Sequence, residues 1–352
     1  MKKRLLDFTV VLLVLFYIII LIARPDICKN GTIAGILLCG RVIVPSLFPF
    51  TMCVLFIINS DTVNHLNFIS PFTKALTGFP ADIFIIVLLS FVGGYPIGAK
   101  LLNNAVTMKR LTPKQAGIIL NFCVNAGPAF IVAAVGSGIL GSQKSGIILL
   151  CSHIISGIIL SLISRFLSSA EIDNQNKEKI HINPADNFVM SAAEASKAVL
   201  SICGFIILFS SINAYIRFFG ESVKILKVLR LILEVTNAVT LTDNIYLISF
   251  LLGFGGISVW CQVFAVAGKI KINYARFVIF RILHGTLSIV VTAVLLKLFC
   301  VSLPAFSNQK VSDFSYFYSS AALGISLLLM GIVFVISLSS EKYTGKILDD
   351  VI

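Results

Sequence analysis

Residues 93–100 read Gly-Gly-Tyr-Pro-Ile-Gly-Ala-Lys inside an otherwise apolar run. Gly93, Gly94 and Pro96 break a helix at that point, and the break frees backbone amides that, with the positive end of the next helix dipole, suit an anionic group. Tyr95 stands in the break, and Lys100 adds a cation one turn on, unless its stem carries the charge to the membrane interface. A second pair, Gly255-Gly256, interrupts a later apolar run, and Gln262 there takes the position that aligns with Lys100. Asn121 and Asn125 are four residues apart, hence on one helix face, just ahead of Gly127-Pro128. Their carboxamides serve either a neighbouring helix or a solute. Leu233-Glu234-Val235-Thr236-Asn237 sets a carboxylate and an amide, Glu234 and Asn237, in a moderately apolar segment. Glu234 is then either a functional intramembrane carboxylate or the i+4 partner of Arg230 on an interfacial amphipathic helix. Arg276, Arg281 and His284 follow on adjacent turns at the start of a further apolar run and could face a cavity. These groups bind; they form no set that breaks a covalent bond.

The elements that must position them are membrane helices. The chain is 57% hydrophobic and 12% charged, with a mean hydropathy of +0.99 over 352 residues, too little polar surface to coat a soluble globule. Runs of about 18 or more apolar residues cross the hydrocarbon as helices. Asp7 to Ala23, Thr32 to Asn59, Ala116 to Leu140, Gly146 to Leu167, Ala198 to Phe219, Phe277 to Val301 and Ser319 to Leu338 are read as seven spans, the second kinked by Pro45 and Pro49. The glycine-broken runs, 81–109 and 245–270, add two segments whose arms of about 10 to 14 residues reach roughly 15 to 20 Å and cannot cross alone. Lys2, Lys3 and Arg4 ahead of the first run resemble a secretory signal, but the apolar core is long and no small-residue cleavage site follows, so it is read as an uncleaved helix.

Paired, interrupted segments in two halves are the sequence mark of a transporter with internal repeats and a midplane site. The fold class expected is therefore all-α: a polytopic membrane protein of two repeats, inverted, each with a glycine-broken re-entrant or discontinuous helix. Residues 1–30 form the first helix, 31–167 the first repeat, 168–187 a polar linker, 188–301 the second repeat, and 302–352 a last helix and tail. The alignment behind this sets Gly93-Gly94 on Gly255-Gly256. The positive-inside rule favours a cytoplasmic N-terminus and a hairpin at 81–109, but the same construction strands Lys224, Lys227, Arg230, Lys269, Lys271 and Arg276 outside, leaving the second half's orientation open.

Enzyme motifs are absent: no H-E-x-x-H, no G-x-S-x-G and no P-loop. Eight cysteines and four histidines are scattered without metal-ligand spacing, so no metal and no cofactor is expected. The expected partners are membrane lipid and a small anionic solute, with no nucleic acid, and glycine-rich helix pairs would allow a homo-oligomer. The net charge of +12 fits anion attraction and equally fits basic loops against anionic lipid.

Six stretches, in order, resemble the YlbJ-like (SpoVV-like) sporulation integral membrane proteins, which carry a Gate or nucleoside-recognition type of membrane domain. They are Val44 to Phe50, Gly94 to Lys100, Asn125 to Ile131, Leu233 to Asn237, Phe254 to Gly256 and Arg281 to His284. The resemblance implies a role in sporulation and in moving dipicolinic acid across the membranes around the forespore. A nucleoside or metal-ion permeation subunit of the same fold type, or a non-transporting protein of spore-envelope assembly, is the alternative.

Overall fold

The computed structural model describes residues 2–60, 66–167, 183–220 and 223–299. The expected span at Ser319 to Leu338 and nearly all of the polar linker lie outside these residues. Within them the chain is helical, with no strand.

Helix α1 (Lys2–Ala23) ends at Arg24, because Pro25 lacks the amide that would continue it, and α2 (Pro25–Asn59) begins there. α2 runs through both prolines. A wide π turn at Cys39–Ile43, closed by Val44 N–H on the Cys39 carbonyl, widens the helix just ahead of Pro45. The short α3 (Ser70–Thr77) leads through left-handed Gly78 into α4 (Ala81–Gly93), and α5 (Tyr95–Thr107) follows after Gly94 alone. α6 (Pro113–Leu120) starts on a Thr112/Gln115 capping box and stops after two turns. Residues 121–127 are unwound, and α7 (Ala129–Ile139) resumes in π form. α8 (Gln143–Leu167) and α9 (Pro184–Gly220) are long and unbroken. α10 (Lys224–Leu233) breaks at Glu234 before a single turn, α11 (Val235–Ala238). α12 (Ile245–Phe254), α13 (Gly256–Val266) and α14 (Tyr274–Leu298) complete the described chain.

Five helical stretches are long and apolar enough to cross a membrane: α2, α8, α9, α12 with α13, and α14. This is a multi-pass membrane protein. Two expected spans differ. The first apolar run gives a shorter apolar helix, Phe8–Ala23, and the run from Ala116 to Leu140 is split by the unwound stretch. Asn121 and Asn125 therefore do not share a helix face, since the helix has ended before either of them.

The two glycine breaks fold differently. Eight residues of continuous helix would separate Ser90 from Gly98 by about 12 Å, yet a methyl on Gly98 would lie 3.1 Å from the Ser90 Cβ. So α4 and α5 fold back on each other. Past the second break, the Lys269 amide donates to Asn103 Oδ1 (2.9 Å) and the Lys271 amide to the Pro113 carbonyl (3.0 Å), which puts the end of α13 beside the end of α5 and the start of α6. α14 starts from that same face. α12 lies along α14, with Gly253 against Gly285 and Ser249 bonded to Thr292, so Ile245 sits toward the far end of α14. Segment α12–α13 thus runs from one face to the other as a discontinuous helix and forms no hairpin.

Candidate functional site

Each break is covered by a second break. Gly94, at φ +85°, lies against Gly127 of the unwound stretch, where an added Cβ would stand 3.3 Å from the Gly94 Cα. A methyl on Gly98 would meet the Cys123 carbonyl oxygen at 1.8 Å, so only glycine allows α5 to lie on this exposed backbone. In the other half Gly256, at φ +81°, packs on the break between α10 and α11, 3.1 Å separating its would-be Cβ from the Ile232 carbonyl and 3.4 Å from the Glu234 Cα. Gly94 meets Gly127, and Gly256 meets Glu234, so each glycine break is covered by a break of its own half.

The halves join at Tyr95. Its hydroxyl donates to the Leu252 carbonyl at 2.6 Å, on the last turn before the second break, and Gly255 stands against its ring.

A narrow cleft, about 30 Å³ in volume, lies where these breaks converge. Its polar lining is Tyr95, Glu234, Thr236 and Gln262, with Pro96 and Gly127 from the first half's breaks. Ile43 and Leu47 of α2, Phe130 of α7, Ile202 and Ile206 of α9 and Val259 of α13 form the apolar wall. Glu234 is 1% exposed and accepts from the amides of Thr236 (2.9 Å) and Asn237 (2.7 Å), capping α11. It does not pair with Arg230, whose Nε donates instead to Asn213 on α9 at 2.9 Å. Gln262 donates to Ser258 one turn back, 3.3 Å away. Among the described residues no cation forms an ion pair with Glu234.

Of the residues singled out in the sequence, Tyr95, Pro96, Glu234 and Gln262 line this cleft. Gly93, Gly94, Gly255 and Gly256 shape the backbone around it. Lys100 lies elsewhere, in an ion pair of 3.5 Å with Glu194 of α9. Asn237 holds its carboxamide on Ser210 of α9 at 3.3 Å. Asn121 donates to Ile118 and Asn125 to Ser90 and Phe122, so both tie down the unwound stretch and neither lines the cleft.

That stretch has a further anchor. Arg281, fully buried on α14, donates Nη2 to the Asn121 carbonyl at 2.5 Å and Nη1 to the Val124 carbonyl. His153 of α8 accepts the Ala126 amide on Nε2 at 3.0 Å, which places its proton on Nδ1, and its ring stacks on His284 at 4.4 Å between centroids. His284 Nε2 faces the His153 carbonyl at 3.1 Å and so carries its own proton there. The sequence pattern marked Arg281 and His284 as facing a cavity. Arg281 faces unwound backbone and His284 faces His153 of α8, and His153 carried no signal beyond its type. No group of three or more His, Cys, Asp or Glu able to hold a metal occurs among the described residues.

No protein-family model matches the chain, and no solved structure matches it. It is similar to the sporulation integral membrane protein YlbJ of Bacillus subtilis (strain 168), 23% identical over 334 residues that cover 80% of this chain and 81% of that protein.

Proposed function

We propose, from the premise that the chain is a YlbJ-like sporulation integral membrane protein, that it is a transporter moving a small organic acid through the cleft between its broken helices. The observation that carries this is the convergence of four backbone breaks on one partly polar cleft inside an apolar bundle. Irregular backbone at membrane depth is tolerated where it is buried in protein or lines a wet cavity, and discontinuous helices at a repeat interface are where secondary transporters bind their solutes.

The lining sets the class of solute. The apolar wall suits a flat, largely apolar body, while Gln262, Thr236 and Glu234 offer hydrogen bonds at its edge. Dipicolinic acid, a planar aromatic diacid, matches that chemistry, and the narrow cleft must widen to admit it. The cations expected to meet it do not line the cleft: Lys100 is paired with Glu194, and Arg281 is bonded to backbone. An acid entering beside Glu234 must have its charge offset by protons, a requirement that the sequence alone did not reveal.

The test is saturable uptake of radiolabelled dipicolinate by liposomes holding the purified protein. Gln262→Ala should lower uptake at least tenfold, by removing a donor and acceptor from the cleft. Lys100→Ala should transport within about twofold of wild type, since its half-buried ion pair with Glu194 lies away from the cleft. Loss of transport in Lys100→Ala with full activity in Gln262→Ala would move the site to the α5–α9 contact. The carboxylate and carboxamide in the cleft also suit a nucleoside, so labelled nucleosides belong in the same assay. Uptake of neither solute by well-folded protein would favour a structural role in envelope assembly.

A further inference from the structure

We propose that transport is driven by protons carried on the Glu234 carboxylate and needs no sodium, because Arg281 stands as a fixed cation on the carbonyls where a coupling ion would bind. The inference rests on the transport reading above.

Two independent observations lead to it. In transporters with discontinuous helices, unwound carbonyls and the C-terminal ends of half-helices are the ligands for coupling cations. Here the unwound stretch beyond α6 offers such carbonyls at Asn121 and Val124, and both accept from the Arg281 guanidinium. That positive charge is tethered to α14 and cannot cross the membrane. It neutralises the site that a mobile cation would use.

Glu234 is the mobile-charge group on the other side of the cleft. It is buried, it lines the cleft, and two backbone amides are its hydrogen-bond partners. A lone carboxylate in a low-dielectric site is costly, and intramembrane carboxylates of this kind mark proton paths. The titratable groups around it are committed. Tyr95 of α5 donates to the Leu252 carbonyl and Cys39 of α2 lies against the Cys203 carbonyl of α9, while Arg230, one turn back on α10, holds Asn213. Arg281 does not line the cleft and has its charge on the unwound carbonyls.

The carboxylate is also placed to turn a proton into movement. It caps α11 with one oxygen on each of two amides. When a proton from water on one side adds to one oxygen, that oxygen becomes a donor and its amide bond weakens. The turn at Glu234 then loosens from its cap beneath Gly256, and release of the proton to water on the other side restores it. Proton and solute share one cleft, so an acid enters as the carboxylate is neutralised.

The experiment uses the full-length protein in liposomes, with dipicolinate as probe. Counterflow, labelled solute exchanging for unlabelled without any gradient, first reports transport itself. An inward proton gradient should then raise accumulation severalfold over the no-gradient control, and an inward sodium gradient should match potassium. Glu234→Gln should lose the proton-driven accumulation. Infrared difference spectra of the same samples should show a protonated-carboxyl band on acidification that is missing in Glu234→Gln. The band should be retained in Asp82→Asn, which changes a buried carboxylate in the first turn of α4, outside the cleft. Counterflow with accumulation driven by sodium, or unmoved by the proton gradient, overturns the inference and leaves the transport reading standing. No counterflow sinks the dipicolinate reading, and the infrared band then decides: its presence supports Glu234 as the proton site, and its absence overturns it.

Discussion

Arg281 shows how a charged side chain is accommodated in an apolar bundle without a carboxylate. Its guanidinium takes two carbonyl oxygens, from Asn121 and Val124, and lies over the Phe277 ring with 5.7 Å to the centroid. Hydrogen bonds from a charged donor contribute more than neutral ones, and a buried carbonyl left without its donor costs about 1 to 3 kcal/mol. Arg281→Met keeps the volume and removes both donors, so we expect it to lower stability by about 3 kcal/mol. Thermal unfolding in detergent, followed by circular dichroism, should show a clearly lower Tm. Arg281→Lys can reach one carbonyl at a time and should fall between the two. A Tm for Arg281→Met equal to wild type would mean that the guanidinium does not hold the unwound stretch. The depth of this arginine was legible in the sequence. Its partners were not, because they are backbone atoms about 160 residues away, and backbone leaves no residue-type signature. The partner of Lys100 was hidden for a related reason: Glu194 sits on another helix at a spacing no local pattern encodes.

At the scale of elements, glycine marks where backbone meets backbone, and the cost of replacing it follows from what lies opposite. Gly98 faces the Cys123 carbonyl oxygen, which an added methyl would approach to 1.8 Å. Gly204, in the middle of α9, has nothing within 4 Å of the same position. Gly98→Ala must force α5 off the unwound stretch, a strain of about 3 kcal/mol by the measure of overpacked cores. Gly204→Ala should instead stabilise α9 by about 0.5 to 1 kcal/mol, through lower backbone entropy in the unfolded chain. Yield of monodisperse protein in size-exclusion chromatography, with Tm alongside, separates the two outcomes. Equal yields would mean that α5 does not depend on contact with the unwound stretch. The same elements show how far sequence reading reaches. Gly-Gly and Gly-Pro in apolar runs do report that a helix breaks. They do not report which break covers which: that Gly94 lies on Gly127 and Gly256 on Glu234 comes only from the packed structure. Asn121 and Asn125 fitted a helical spacing, but periodicity over five residues cannot tell a helix from the extended chain after it. Glu234 was legible as a carboxylate in apolar surroundings, and its role as a cap follows only from the break behind it.

Among the described residues, polar groups are buried within an apolar core, and large apolar side chains also cover the outside, as a bilayer requires. Arg281, His153, His284, Asn125, Ser249 and Thr292 are buried, while Ile19, Ile279 and Val290 are more than half exposed. Charge then orients the bundle. The bonds from Lys269 to Asn103 and from Lys271 to Pro113 bring the α13–α14 loop beside the α5–α6 loop, so Lys109, Arg110, Lys114, Lys269 and Lys271 share one face. Lys224, Lys227 and Arg230 stay at the end of α9 that packs beside Arg24. For Lys269, Lys271 and Arg276 the conflict left by the sequence is removed, because α12–α13 passes through the bundle and carries them back to the side of the first half's basic loop. By the positive-inside rule that face is cytoplasmic. The turn before α8 lies on the other face, since α6, the unwound stretch and α7 carry the chain across from Pro113 to Ile139. In a background with the native cysteines replaced, Gln143→Cys should react with a membrane-impermeant maleimide in intact cells. Lys109→Cys and Lys269→Cys should react only after the membrane is opened. Labelling of both lysine positions in intact cells would invert the whole molecule. Labelling of only one of them would contradict the shared face, and with it the passage of α12–α13 from side to side on which the cleft depends.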